Sequence, residues 1–142
     1  MGWYLNGNLK GATGATGAQG PEGPAGPTPP ETSGAIAYSG IYSAVSSAAP
    51  VATGKFGRVS LEGVVTSTAA TFNANTQYTI GTLPSALAPS TTKWFVCVWN
   101  LTGKAVVSVT PAGAVLFSLD QTITLGAGAL KLSLDGPVWN QK

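Results

Sequence analysis

The side chains able to do chemistry are few and widely spaced. There is no histidine in the 142 residues, which removes the usual general base near neutral pH, the commonest metal ligand and a member of most nucleophilic triads. The carboxylates are Glu22, Glu31, Glu62, Asp120 and Asp135. Glycoside hydrolysis needs two carboxylates facing one another across the scissile bond. Glu22 and Glu31 lie in Gly/Pro-rich sequence, so only Glu62, Asp120 and Asp135 could supply such a pair. Asp135-Gly136 and Asp120-Gln121 read instead as turn residues, whose short side chains bond nearby backbone. Cys97 is the single cysteine, so it has no partner for an intrachain disulfide and no Cys-only zinc site is possible. It lies in the run Trp94-Phe95-Val96-Cys97-Val98-Trp99, where it reads as a small buried hydrophobe. No Gly-x-Ser-x-Gly elbow or phosphate loop occurs. Asn100-Leu101-Thr102 has the form of a glycan acceptor but reads as accidental without a secretory route. The expectation is a protein that is not an enzyme, with no catalytic residue, no metal and no cofactor.

Recognition through aromatic faces and small polar groups remains open to such a chain. Tyr78, Trp94, Trp99 and Trp139 are the candidates for stacking against a surface ligand such as a glycan. Trp94 and Trp99 suit core or subunit-interface packing better. Net charge is +2, and the seven basic residues are scattered singly at Lys10, Lys55, Arg58, Lys93, Lys104, Lys131 and Lys142. No basic stripe forms, so nucleic-acid binding has little electrostatic support. No apolar run is long enough to span a membrane. Charged residues make up 8% of the chain, about a third of the usual share, and Gly, Ala, Ser and Thr take their place. That balance suits a β-rich structural protein with a neutral surface.

The elements that position these residues fall into segments. Glycine recurs at Gly11, Gly14, Gly17, Gly20, Gly23 and Gly26, with Pro21, Pro24 and Pro27 each following a glycine. A strict period of three with proline marks a collagen-like triple helix, because every third residue faces the crowded axis of three polyproline-II chains and only glycine fits there. One chain cannot build that helix, so the expected state is a homotrimer with a stalk over residues 11–28. At about 3.1 Å per residue the stalk would be roughly 55 Å long. So few triplets need a trimeric neighbour to raise their effective concentration. Residues 1–10 precede the stalk, and Trp3, Tyr4 and Leu5 form an apolar patch suited to docking into another protein. They lack the apolar core of a secretory leader, so delivery within an assembled particle or by lysis is expected.

Residues 29–54 read as a hinge and neck. Tyr38, Ile41, Val45 and Ala48 have heptad-like spacing, whereas Ile36, Tyr38, Gly40 and Tyr42 alternate as a strand would. Gly40 and the many serines weaken a helix, which favours extended structure. Residues 55–142 carry β signals. Arg58 to Glu62 alternates polar and apolar, Tyr78-Thr79-Ile80 is aromatic and β-branched, and Trp94 to Trp99 predicts a strand covered on both faces. Pro111-Ala112-Gly113 forms a short loop between Ala105–Thr110 and Ala114–Leu119. Leu130, Leu132 and Leu134 alternate with Lys131, Ser133 and Asp135. Strands at this spacing without helical periodicity predict an all-β antiparallel sandwich or jelly roll.

Three pieces carry a family resemblance. Gly57-Arg58-Val59-Ser60-Leu61-Glu62-Gly63-Val64-Val65 resembles the opening Gly-x-Val-x-Leu-x-Gly-x-Val strand of phage tail-fibre and minor-tail-protein tip domains. Thr82-Leu83-Pro84, followed by Pro89, resembles that family's turn, although Ser85–Ala88 departs from its usual Gly-Tyr-Arg flavour. Leu132-Ser133-Leu134-Asp135-Gly136 is similar to its ending, and the likeness spans residues 54–139. The resemblance implies a trimeric β-sandwich head at the tip of a fibre, with a host surface glycan as a possible ligand. It further implies a structural virion protein, assembled in the host cytoplasm, that is held to another virion protein through residues 1–10 and sits on the particle surface. Two other readings are carried with it: a capsid decoration protein without a receptor role, and a bacterial surface or spore-coat collagen-like protein.

Overall fold

A computed structural model of the chain describes residues 12–26 and 31–142. Trp3, Tyr4 and Leu5, predicted to anchor the chain, the first repeat glycine Gly11 and the end of the predicted stalk at 27–28 lie outside the described residues. Residues 12–26 are exposed throughout and contain no strand or helix.

Residues 31–142 are all-β. In chain order the strands are β1 (Thr32–Ala35), β2 (Ala37–Tyr38), β3 (Tyr42–Ala44), β4 (Val51–Lys55), β5 (Arg58–Glu62), β6 (Val64–Ser67) and β7 (Ala70–Phe72). They continue with β8 (Tyr78–Thr82), β9 (Lys93–Trp99), β10 (Gly103–Val109), β11 (Ala114–Leu119), β12 (Ile123–Leu125), β13 (Leu132–Ser133) and β14 (Val138–Asn140). Helical structure among the described residues is confined to single 3-10 turns at Ser46–Ala48 and Ser85–Leu87. One sheet has the order β1-β4-β5-β14 and the other β2-β8-β11-β10-β9-β13-β6-β3, with β7 and β12 forming a separate ribbon. Every pairing is antiparallel, and the sheets close on one another as a nearly closed, barrel-like sandwich.

Period-two alternation explains which residues fill it. Val59 and Leu61 of β5, Val107 and Val109 of β10, Val115, Phe117 and Leu119 of β11, and Leu130, Leu132 and Leu134 all point into one continuous core. Phe117 sits at its centre, with ring centroids 5.6 Å from Phe72 and from Tyr78 and 5.8 Å from Tyr42. Fully burying such a side chain contributes about 1.5–3 kcal/mol.

Two expectations change here. The head takes in residues 32–54 as well as 55–142. β1 pairs with β4 from Thr32↔Gly54 to Ala35↔Val51, β2 with β8, and β3 with β6. The stretch carries both 3-4 and 2 spacing, and pairing with strand edges satisfies its backbone groups within the sheets, whereas a helix of two heptads would be marginal by itself. The second change concerns β9, which is covered on one face only. Phe95, Cys97 and Trp99 turn inward, while Trp94, Val96 and Val98 turn outward and are 58%, 73% and 45% exposed.

Candidate binding surface

The local chain chemistry fixes two ends of the head. Glu31 reaches Lys55 at 3.2 Å, the Gln141 amide donates to the Gly57 carbonyl at 2.7 Å, and Lys142 Nζ donates to the Pro111 carbonyl at 2.7 Å. The first head residue, the last residue, the β4–β5 turn and the β10–β11 loop therefore share one end, the near end. The strands β9 and β10 run seven residues, about 23 Å, to the opposite, far end. There the β9–β10 loop Asn100–Thr102 projects Leu101, which is 94% exposed with a φ of 71°. A leucine in the left-handed region costs about 1–2 kcal/mol relative to glycine, so the loop carries an apolar tip at the expense of local stability. The neighbouring loops are tied together by the Asn75 amide donating to the Leu119 carbonyl at 2.7 Å and the Ala74 amide to Thr122 Oγ1 at 2.9 Å.

The aromatic candidates do not converge. Trp139 is buried, lies 6.0 Å from the Phe95 ring and donates its indole N–H to the Leu87 carbonyl at 2.9 Å. Trp99 is buried too, its ring lying over Gly103, its partner in register. Neither presents a free ring face to a ligand, so both leave the candidate set: each points inward by strand alternation. Tyr78 is half-buried among Phe72 and Phe117, and its hydroxyl accepts the Asn73 amide at 2.7 Å. Trp94 alone of the four has an open face.

The carboxylates are likewise dispersed. Asp135 is a turn residue: Oδ1 accepts the Gly63 amide at 2.7 Å and Oδ2 accepts Ser133 Oγ at 3.1 Å. Glu62 borders a groove of about 330 Å³ with Asp135, and Asp120 lies on a different groove. No group of three or more His, Cys, Asp or Glu side chains is placed to hold a metal among the described residues. Cys97 is buried, and that burial, helped by the Asp135 charge, pushes its thiol up to about 11. A thiol so shifted stays protonated and unreactive at neutral pH.

What sequence reading missed is the outer face of the large sheet. Val106 of β10, 40% exposed, lies in register between Val96 of β9 and Ser118 of β11, and Trp94, Ser108 and Leu116 form the next row. A groove of about 260 Å³ opens on this face, lined among others by Asn75, Val96, Lys104, Val106, Ser118 and Asp120. The β9 run held no signal for it, because Trp94 to Trp99 are all apolar and nothing in their types alternates between the two faces. The far-end loop tip at Leu101 had no sequence signal beyond its turn position.

No model of a known protein family matches the chain, and no curated protein sequence matches it. Among solved structures the fold is similar to that of the receptor binding protein (gp15) of Listeria phage PSA. The TM-score is 0.58 at 20% identity, over 81% of this chain and 67% of that one. At that identity the likeness is one of fold.

Proposed function

We propose that the chain is a structural fibre protein of a phage particle that projects its β-sandwich head toward the host cell surface. The observation that carries this reading is the fold shared with a phage receptor binding protein. The unbroken Gly-X-Y register immediately before the head supports the rest of it. Three chains wind residues 11–28 into a triple-helical stalk, residues 1–10 with Trp3, Tyr4 and Leu5 dock into another virion protein, and the head stands at the outer end as part of a homotrimer. The head does no chemistry of its own. Its far-end loops, tipped by Leu101 and carrying the amides and hydroxyls of Asn73, Asn75, Gln121 and Thr122 beside the single carboxylate of Asp120, are the part held farthest from the stalk. Neutral amides and hydroxyls suit an uncharged glycan.

The test is the solution mass of the full chain, followed by adsorption of the labelled protein to a panel of bacterial strains. A mass near three times the 14.2 kDa of one chain is expected, with saturable adsorption to some strains that their own cell-wall polysaccharide competes away. A monomer would sink the fibre reading. A trimer that adsorbs to no strain would favour a particle decoration without a receptor role, and release of sugar from the polysaccharide would overturn the non-enzymatic reading.

A further inference from the structure

The outer face of β9, β10 and β11 is unusual for a surface. Its exposed apolar groups are Trp94, Val96 and Val98 along β9 and Val106 beside Val96, with Leu116 and Ser118 half-buried and Ser108 buried among them, and Lys104 is the charged side chain that these three strands turn outward. Contiguous exposed apolar groups of this kind mark interaction surfaces. We infer that this face is where the head packs against the second and third copies of the same chain, an inference that rests on the homotrimer reading above and gives it a surface.

The occupant is set by the chain itself. The glycine period requires two further copies to run beside each stalk, and those copies deliver two further heads entering from the same near end. β9, β10 and β11 run from that near end to the far end, so their outer face flanks the direction in which three stalk-bearing heads stand side by side. Charge agrees with this. Lys104 and Asp120 border the same groove but form no ion pair with one another within one chain, where the ion pair formed among the described residues is Lys55 with Glu31. In a cyclic trimer different parts of one face meet, the β10 part of one copy's face against the β11 part of the next copy's, so Lys104 of one copy comes to Asp120 of the next. Three strands about 4.8 Å apart and about 23 Å long give a patch on the order of 350 Å², under half of the roughly 800 Å² each partner contributes to a standard interface, so the face is small for an interface by itself. Such a face holds three copies together when a tether raises their effective concentration, and the stalk is that tether.

The experiment measures the mass of the full chain by sedimentation. Val96→Glu, which places a carboxylate on each copy's apolar row, is expected to lower the mass from three chains to one while the β-sheet circular dichroism is kept. Phe56→Glu, at an equally exposed aromatic on the β4–β5 turn, is expected to leave three chains. Should Val96→Glu fail to fold, the exposed charge pair decides. Lys104→Glu is expected to raise the concentration at which the trimer half-dissociates at least ten-fold, and adding Asp120→Lys is expected to restore it. A folded Val96→Glu protein that remains three chains would overturn this interface and leave the homotrimer standing. So would a Lys104→Glu protein indistinguishable from the parent. A parent protein that is itself one chain would overturn both.

Discussion

Two sets of glycines divide this molecule. At several glycines of the head a neighbour within the same chain comes too close for a side chain, while Gly40, Gly57, Gly128 and Gly136 stand in open turns with positive φ. A Cβ on Gly81 would run into the Ala37 carbonyl and the Ile36 side chain, and one on Gly103 into the Trp99 indole. In the repeat the reverse holds: at Gly14, Gly17, Gly20, Gly23 and Gly26 nothing in the chain lies within 4 Å of where a Cβ would stand. One chain's packing explains the first set and leaves the strict period of the second unexplained. Under the stalk proposed above, the second set answers to a neighbour of another copy, as at the axis of a triple helix. Spacing alone told the two apart, because close approaches in a sheet follow strand register whereas an axial approach recurs every third residue.

The sharpest way to break that comparison is Gly81→Ala. Pairing of β2 with β8 brings the Ala37 backbone against this position, and neither the carbonyl nor the packed Ile36 methyl can move aside freely. Overpacking of this kind costs about 1–3 kcal/mol. A clear fall in the head's melting temperature, read by circular dichroism, is the expected result; an unchanged melt would mean that the β2 pairing is not part of the stable head.

Gly20→Ala is the complementary case. A methyl group at the triple-helix axis should abolish the polyproline-type dichroism of the stalk and open it to proteolysis. The melting temperature of the head should stay where it was, since nothing in the head touches Gly20. Loss of head stability in this variant would erase the distinction between the two kinds of glycine.

How much of this was legible before the fold was seen follows from the same contrast. The glycine period is visible in the sequence because it is written in sequence distance, and the triple helix read from it is part of the proposal. The strands from Arg58 onward were legible because one face is buried, so alternation at Val59 and Leu61 or at Leu130, Leu132 and Leu134 records the core directly. Residues 32–54 were less so: small Ala, Ser and Gly side chains bury little, their spacing fits two periods at once, and the pairing of β2 and β3 is decided by edges supplied from β8 and β6 far along the chain. The aromatic candidates show the limit most plainly. Trp139 sits in a three-residue strand whose alternation is too short to read, yet it is an inward-facing residue tied to Leu87. Trp94 looks equally apolar in sequence and turns outward. Type and composition cannot separate them; the phase of the strand can.

Cys97 supplies the smallest and most specific test, because it reports on the inner face of the strand whose outer face is proposed as the interface. Its thiol lies near 9.0 in an unfolded chain and about 11 in the head, with burial as the larger cause and the Asp135 charge as the smaller. The fold thus favours the protonated form. Its contribution is complete below pH 9 and declines as pH rises from 9 through 11, where the unfolded chain releases a proton that the folded head still holds. The melting temperature of the parent should fall between pH 8 and pH 10.5 by more than that of Cys97→Ala measured over the same interval. Tyr42 is pushed up to about 12 by burial and, secondarily, by Tyr78, and so adds its own decline only above its ordinary value of 10.0, equally in both proteins. Equal falls in the two proteins would mean that the thiol ionises as readily in the head as in water, and that the inner face of β9 is open where the packing of Phe95, Cys97 and Trp99 says it is closed.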